Sequence, residues 1–165
     1  MNSFLHREYY WRKREWPYKN VKPRIIAEEY LDSLGKPDSV EYKLTCMTGV
    51  VKIVTVCQGI PHAEFDKRTN DNYDRDLNHL PWWAFYKNAK KPVPIPPEIH
   101  KIIEYAELRS SGIPQVRVDF YLHNGIIYFG EFTFFTWAEF IKYEPLEWDD
   151  IMGQWCELPE KYNEE

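Results

Sequence analysis

Three ionisable residues interrupt an otherwise apolar stretch: Arg117, Asp119 and Glu131, within residues 115–134. The stretch holds two β-branched and aromatic runs around Asn124-Gly125, the pattern of a β-hairpin. Side chains alternate along a strand. Arg117, Asp119 and Tyr121 therefore share one face of the first run, and Val116, Val118 and Phe120 the other. On the second run Ile127, Phe129, Glu131 and Thr133 share a face. Two carboxylates brought together on a sheet can share a divalent cation, and without one their joint burial is costly. A plainer reading of Arg117 and Glu131 is a cross-strand ion pair on a wet face.

The turn decides whether the acids meet. A two-residue Asn124-Gly125 loop pairs Asp119 with Gly130 and sends Glu131 to the far face. A three-residue loop, His123-Asn124-Gly125 with Gly125 left-handed, pairs Arg117 with Glu131. It also places Asp119, Glu131 and Thr133 on one face. Asn-Gly suits either turn, and the three-residue loop is the one expected here.

The elements that must position this hairpin follow from the rest of the chain. Residues 3–15 lack Gly and Pro and read as a short helix, with Ser3 as its cap and Tyr9 or Tyr10 packing inward. Arg7, Arg12, Lys13 and Arg14 make a basic cluster there, suited to a solvated face or to a place beside phosphates. Residues 23–31 alternate as a strand and run into the turn-rich connection 32–38. Residues 41–47 and 50–57 form a second hairpin around Thr48-Gly49, with Glu41, Lys43 and Thr45 on one face. Residues 58–96 are irregular and end in a proline-rich connector. Residues 97–109 are the clearest helix, with Ile99, Ile102, Ile103 and Ala106 on one face and Gly112 as its stop. A short helix near Ile151 and Trp155 follows the key hairpin. The whole, 1–165, reads as a single α+β domain with an antiparallel sheet, β-hairpins and a few packed helices. Its parts are an N-terminal helix and entry (1–22), a strand and hairpin (23–57), the irregular connection (58–96), and a helix, hairpin and C-terminal helix (97–159).

Composition narrows the function classes. The chain has 165 residues and a net charge of −5, which argues against a protein that coats nucleic acid. Its three cysteines are odd in number and include no CxxC pair, so neither a zinc site nor a disulfide framework is expected. No apolar run approaches membrane-spanning length, and a cytoplasmic location is expected. Aromatic residues reach 17%, which suits an amphipathic core, or stacking against sugar rings.

Val116 to Tyr121, Asn124-Gly125 and Tyr128 to Phe134 together resemble the metal-binding hairpin of ATP-grasp enzymes, in particular the TupA-like group. The run from Lys22 to Leu31 is similar to the hinge of that fold, and Glu147-Trp148-Asp149, Gly153 and Leu158-Pro159 to the ending of that group. The resemblance spans about Trp11 to Pro159 and implies the C-terminal part of an ATP-grasp fold. It implies that Asp119 and Glu131 hold Mg²⁺ against the phosphates of ATP. Thr133 stands where other ATP-grasp enzymes usually carry Asn. Arg117 is implied to face the phosphates or an acyl phosphate. Backbone groups across Glu28, Glu29, Tyr30 and Leu31 would meet adenine, Glu41 the ribose, and Lys43 a phosphate.

The implied activity is an ATP- and Mg²⁺-dependent carboxylate–amine ligase, or a truncated relative, that works through an acyl phosphate in cell-surface polysaccharide synthesis. Its substrate would be a small molecule or a polysaccharide precursor. The lysine strand and glycine-rich flap of the family do not precede Lys22, so the chain is expected to be either a fragment, with the missing N-terminal half as a partner, or a shortened relative that kept the adenine and metal side. Two other readings are a glycosyltransferase of the same pathway, from Asp74-Arg75-Asp76 and the tryptophan-rich loop, and a catalytically inactive nucleotide-binding module.

Overall fold

A computed structural model describes residues 5, 8–32, 34, 36–60, 63–136 and 140–157. The expected Ser3 cap, the 137–139 segment and Leu158-Pro159 lie outside the described residues. The fold is α+β. Six strands form one antiparallel sheet: β1 (Val40–Met47), β2 (Val50–Gln58), β3 (Thr69–Tyr73), β4 (His79–Leu80), β5 (Gln115–His123) and β6 (Ile126–Thr133). Their order is β4-β3-β2-β1-β5-β6. Among the described residues, three α-helices accompany the sheet: α1 (Tyr10–Lys13), α2 (Ile99–Ser110) and α3 (Glu147–Trp155).

Alternation splits the sheet into two unlike faces. Tyr42, Leu44, Val54, Val56, Val116, Val118 and Phe120 point one way and are buried against Ile99, Ile102, Ile103 and Ala106 of α2. This apolar layer is the driving force that holds the sheet to the helix. The opposite face carries Glu41, Lys43, Thr45, Thr55, Asn72, Arg117 and Asp119. A smaller apolar cluster of Ile53, Trp82, Ala84 and Met152 brings α3 against that face.

The hairpin around Thr48-Gly49 and the helix over α2 form as the sequence leads one to expect. Three other expectations are corrected. The N-terminal helix is shorter: α1 buries no residue, and a left-handed Arg14 ends it. A 3-10 turn, Trp16–Tyr18, then accommodates Pro17. Residues 23–31 form no strand; 23–30 are exposed and Leu31 is half-buried. Alternation alone cannot make a strand where no neighbouring strand supplies hydrogen bonds. The 58–96 connection is more regular than expected, because β3 adds to β2 and β4 to β3. In α3 the buried residue is Met152, while Ile151 and Trp155 are half-buried.

Candidate functional site

The hairpin of β5 and β6 turns on two residues, not three. His123 pairs with Ile126, and both Asn124 (φ 51°) and Gly125 (φ 74°) are left-handed, as a type I′ turn requires. The odd residue sits further along. Between the pairs Phe120–Phe129 and Val118–Phe132, Asp119 alone faces both Gly130 and Glu131. This is a β-bulge in β6. A Cβ on residue 130 would lie 2.9 Å from the Tyr121 ring and 3.1 Å from the Asp119 carbonyl oxygen, which is why glycine fits there.

The bulge reverses the phase of β6. Ile127 and Phe129 face α2, while Glu131 and Thr133 face the polar side. The expected grouping of Ile127 and Phe129 with Glu131 is therefore corrected. So is the expected pairing of Arg117, which lies opposite Thr133. The far-face outcome of a two-residue loop is avoided all the same, because the bulge restores the missing residue.

Five charged side chains join across three strands. The Arg117 guanidinium donates to both oxygens of Asp119, each at 2.7 Å. Lys43 Nζ lies 2.9 Å from Asp119 Oδ2 and 2.9 Å from Glu41 Oε2. Arg117 Nη2 is 3.6 Å from Glu131 Oε1. Asp119 is 2% exposed at its side chain and Glu131 64%, so the network runs from the interior to the surface. Burial by itself would lower the pKa of both cations, but the neighbouring anions together outweigh it, Asp119 foremost with Glu41 beside Lys43 and Glu131 beside Arg117, and hold each above its ordinary value.

Lys43, Arg117, Glu131 and Thr133 line a cavity of about 990 Å³ on the polar face. Its other walls include Arg12, Lys13 and Tyr18 near the N-terminus, and Tyr86 and Trp82 beyond β3. Thr136, which accepts a 3.5 Å hydrogen bond from Arg117 Nη1, had no signal in the spacing. Glu41 and Asp119 stand just behind the lining, attached to Lys43 and Arg117. Thus Glu41, Lys43, Arg117, Asp119, Glu131 and Thr133 come together. Glu28, Glu29, Tyr30 and Leu31 do not line the cavity, and Tyr30 is 71% exposed.

The donor set suits a hard cation: two carboxylates and a hydroxyl, all oxygen. In the structure the Arg117 guanidinium bridges the two carboxylates, so it must release Glu131 for an ion to sit there. Among the described residues, no group of three or more His, Cys, Asp or Glu side chains could hold a metal ion. The Asp74-Arg75-Asp76 loop is committed elsewhere. Asp74 accepts hydrogen bonds from the backbone of Asp76 and Asn78, and Arg75 forks onto Glu107 at 2.7 and 3.0 Å. None of the three lines the cavity.

Cys57, buried beside Lys43, has its thiol pushed up to about 12 by burial, and buried Cys46 to about 11. Lys43 titrates above its ordinary value as well. In each case the folded state keeps a proton that the unfolded chain releases, so stability is full below pH 9 and falls as pH rises above it. Urea midpoints are expected to drop between pH 9 and 11, and less steeply in a Cys46→Ala/Cys57→Ala variant. A flat profile over that range would refute the assignment.

Among the described residues, no helix is long and apolar enough to cross a membrane. No curated protein and no solved structure matches the chain. The TupA-like ATPgrasp family model matches residues 1–157. That span carries the bulged hairpin, the charge network and the cavity together, and the chain belongs to the TupA-like ATP-grasp family.

Proposed function

We propose that the polar face of the sheet binds Mg·ATP and supports carboxylate–amine ligation through an acyl phosphate, with a polysaccharide precursor as substrate. The observation that carries this reading is the pair of cations, Lys43 and Arg117, held by buried Asp119 at the wall of a large cavity. Family membership supports ATP and Mg²⁺ as the ligands.

Cations fixed in advance stabilise charge without reorganising when it develops, and this is where phosphoryl transfer gains most of its rate. Asp119 orients Lys43 and Arg117 and limits their motion. Arg117 then presents its remaining N–H groups to a phosphoryl oxygen, and Lys43 a point charge. Glu131, Thr133 and Asp119 would hold Mg²⁺. When bound, the ion neutralises and orients phosphate oxygens. Glu41 is proposed for the ribose hydroxyls, and the backbone of 28–31 for adenine; both roles rest on the family alone.

Glu131→Gln tests the reading. It removes one charge from an exposed carboxylate and leaves the buried network intact. Mg·ATP affinity is expected to fall about tenfold, or ~1.4 kcal/mol, with adenosine affinity unchanged, both by calorimetry. Equal losses for the two ligands would make Glu131 structural. Binding without any acyl-phosphate turnover would favour an inactive nucleotide-binding module.

A further inference from the structure

Six large apolar side chains between residues 9 and 26 are more than half exposed: Tyr9, Trp11, Trp16, Val21, Ile25 and Ile26. Apolar residues exposed singly are ordinary on a protein surface, but a contiguous group marks a surface that binds something. Here the group begins as one cluster of rings. The Tyr10 ring lies 5.2 Å from that of Trp11 and 5.9 Å from that of Trp16. Neither α1 nor the 3-10 turn after it buries a residue, so the two tryptophans do not serve the core. Tyr18 fixes the turn to the end of the hairpin. It accepts a 3.4 Å hydrogen bond from the Phe134 amide and meets the Phe134 ring edge-on at 6.0 Å.

The same segment reverses the sign of the chain's charge. Residues 9–26 hold six basic side chains, Arg12, Lys13, Arg14, Lys19, Lys22 and Arg24, against the single acid Glu15. All six cations are exposed, whereas Glu15 is 7% exposed. The chain as a whole carries a net charge of −5. Two of the cations sit on the exposed rings themselves: Arg14 over Trp11 at 4.6 Å and Lys19 over Trp16 at 4.2 Å. Flat apolar rings and positive charge are thus presented together.

From this we infer that residues 9–26 form a docking surface for an anionic lipid bilayer. Tryptophan and tyrosine rings favour the headgroup level of a membrane, where one side is apolar and the other wet. Basic side chains beside them are drawn to the negative potential of anionic lipids. The aliphatic residues decide against a single-stranded nucleic acid. Such a strand would stack on the rings and pair with the cations, but would leave Val21, Ile25 and Ile26 in water. The bilayer boundary takes up all three kinds of side chain. Trp11, Arg14, Trp16 and Lys19 do not line the cavity, so the surface is separate from the site proposed above.

The test is co-sedimentation of the full chain with vesicles of equimolar phosphatidylcholine and phosphatidylglycerol. Pure phosphatidylcholine vesicles and a single-stranded oligonucleotide are the comparisons. Binding is expected to the anionic vesicles alone, and to weaken as salt is raised. Tryptophan emission of the parent should shift to the blue and be quenched by brominated lipid, a readout that needs no variant. Arg14→Gln/Lys19→Gln is expected to lower the partition coefficient about tenfold or more. Trp11→Ala/Trp16→Ala should lower it by a similar factor, while Lys90→Gln/Lys91→Gln, two exposed cations outside the segment, should bind as the parent does. No binding of the parent to anionic vesicles, equal binding to neutral ones, or equal losses in all three variants would overturn the inference. Oligonucleotide binding without vesicle binding would assign the surface to nucleic acid, and a dimer dissolved by Trp11→Ala/Trp16→Ala would assign it to a second copy; either would overturn it too. Mg·ATP binding, on which the proposed function stands or falls, is untouched by any of these outcomes.

Discussion

Asp119→Ala is expected to destabilise the protein by about 3–5 kcal/mol, the usual cost of removing one partner from a buried ion pair. Asp119 is 1% exposed, and it alone separates the charges of Arg117 and Lys43. Without it, two partly buried cations face each other with no counter-ion between them. Glu41 keeps its contact with Lys43, but Arg117 is left with the longer contact to the Glu131 carboxylate and the 3.5 Å bond to Thr136. Asp119→Asn is expected to lose nearly as much, because an amide presents its own donors to a guanidinium. Replacing Lys43, Arg117 and Asp119 together by apolar residues should recover most of the stability and abolish phosphate binding. Urea unfolding of the three variants measures this. A loss below about 1 kcal/mol for Asp119→Ala, the scale of an exposed ion pair, would show that the network is solvated.

Phe120→Ala is expected to cost a similar ~3–5 kcal/mol, for the opposite reason. Phe120 is the next residue along β5, on the other face, 2% exposed and edge-on to Phe129 at 6.1 Å. It fills the layer between the sheet and α2, and truncation leaves a cavity that a tightly packed strand cannot close. Here the conservative change is tolerated: Phe120→Leu should cost less than half as much as alanine. At position 119 the conservative change should not help. The pair of substitutions thus separates packing from charge at adjacent positions, by urea midpoints alone. Equal losses for leucine and alanine at 120 would point to a ring-specific contact instead of volume.

The elements with strong local signals were readable from the chain. Thr48-Gly49 sits between two β-branched runs, and the isoleucines of α2 recur at helical spacing, so neither needs long-range information. The segment 23–31 alternates as a strand does, but pairing depends on what lies beside it, and that is not written in the segment. β3 gives no strand signal because Thr69–Tyr73 reads as a polar loop; Asn72 and Asp71 are 1% exposed, Asn72 satisfied by the Thr55 hydroxyl and the Trp82 carbonyl, and Asp71 by the Ala89 backbone amide. The site was legible as composition, in the unusual Arg117, Asp119 and Glu131, and not as geometry. Gly125 does take the left-handed form, yet it closes a shorter loop than expected. The extra residue lies at Gly130-Glu131, where a glycine beside a glutamate gives no turn signal. Arg12 and Lys13 are visible as charge, but their place at the cavity is not written in the segment that carries them.

The bulge in β6 has a consequence for how this hairpin can change over evolutionary time. Asp119 and Glu131 face the same side only if the residues between them satisfy a parity condition. The Asn-Gly turn supplies an even count, and the bulge corrects it. A relative that gained one residue in the turn and lost the bulge would satisfy the same condition, with the site unmoved and the strand twist relocated to the tip. A single insertion or deletion within the strands, with the two-residue turn and the bulge both kept, would break it and turn Glu131 toward α2. Length variation in these strands should therefore occur in steps of two, or in steps of one coupled to the glycine at 130 or to the length of the turn.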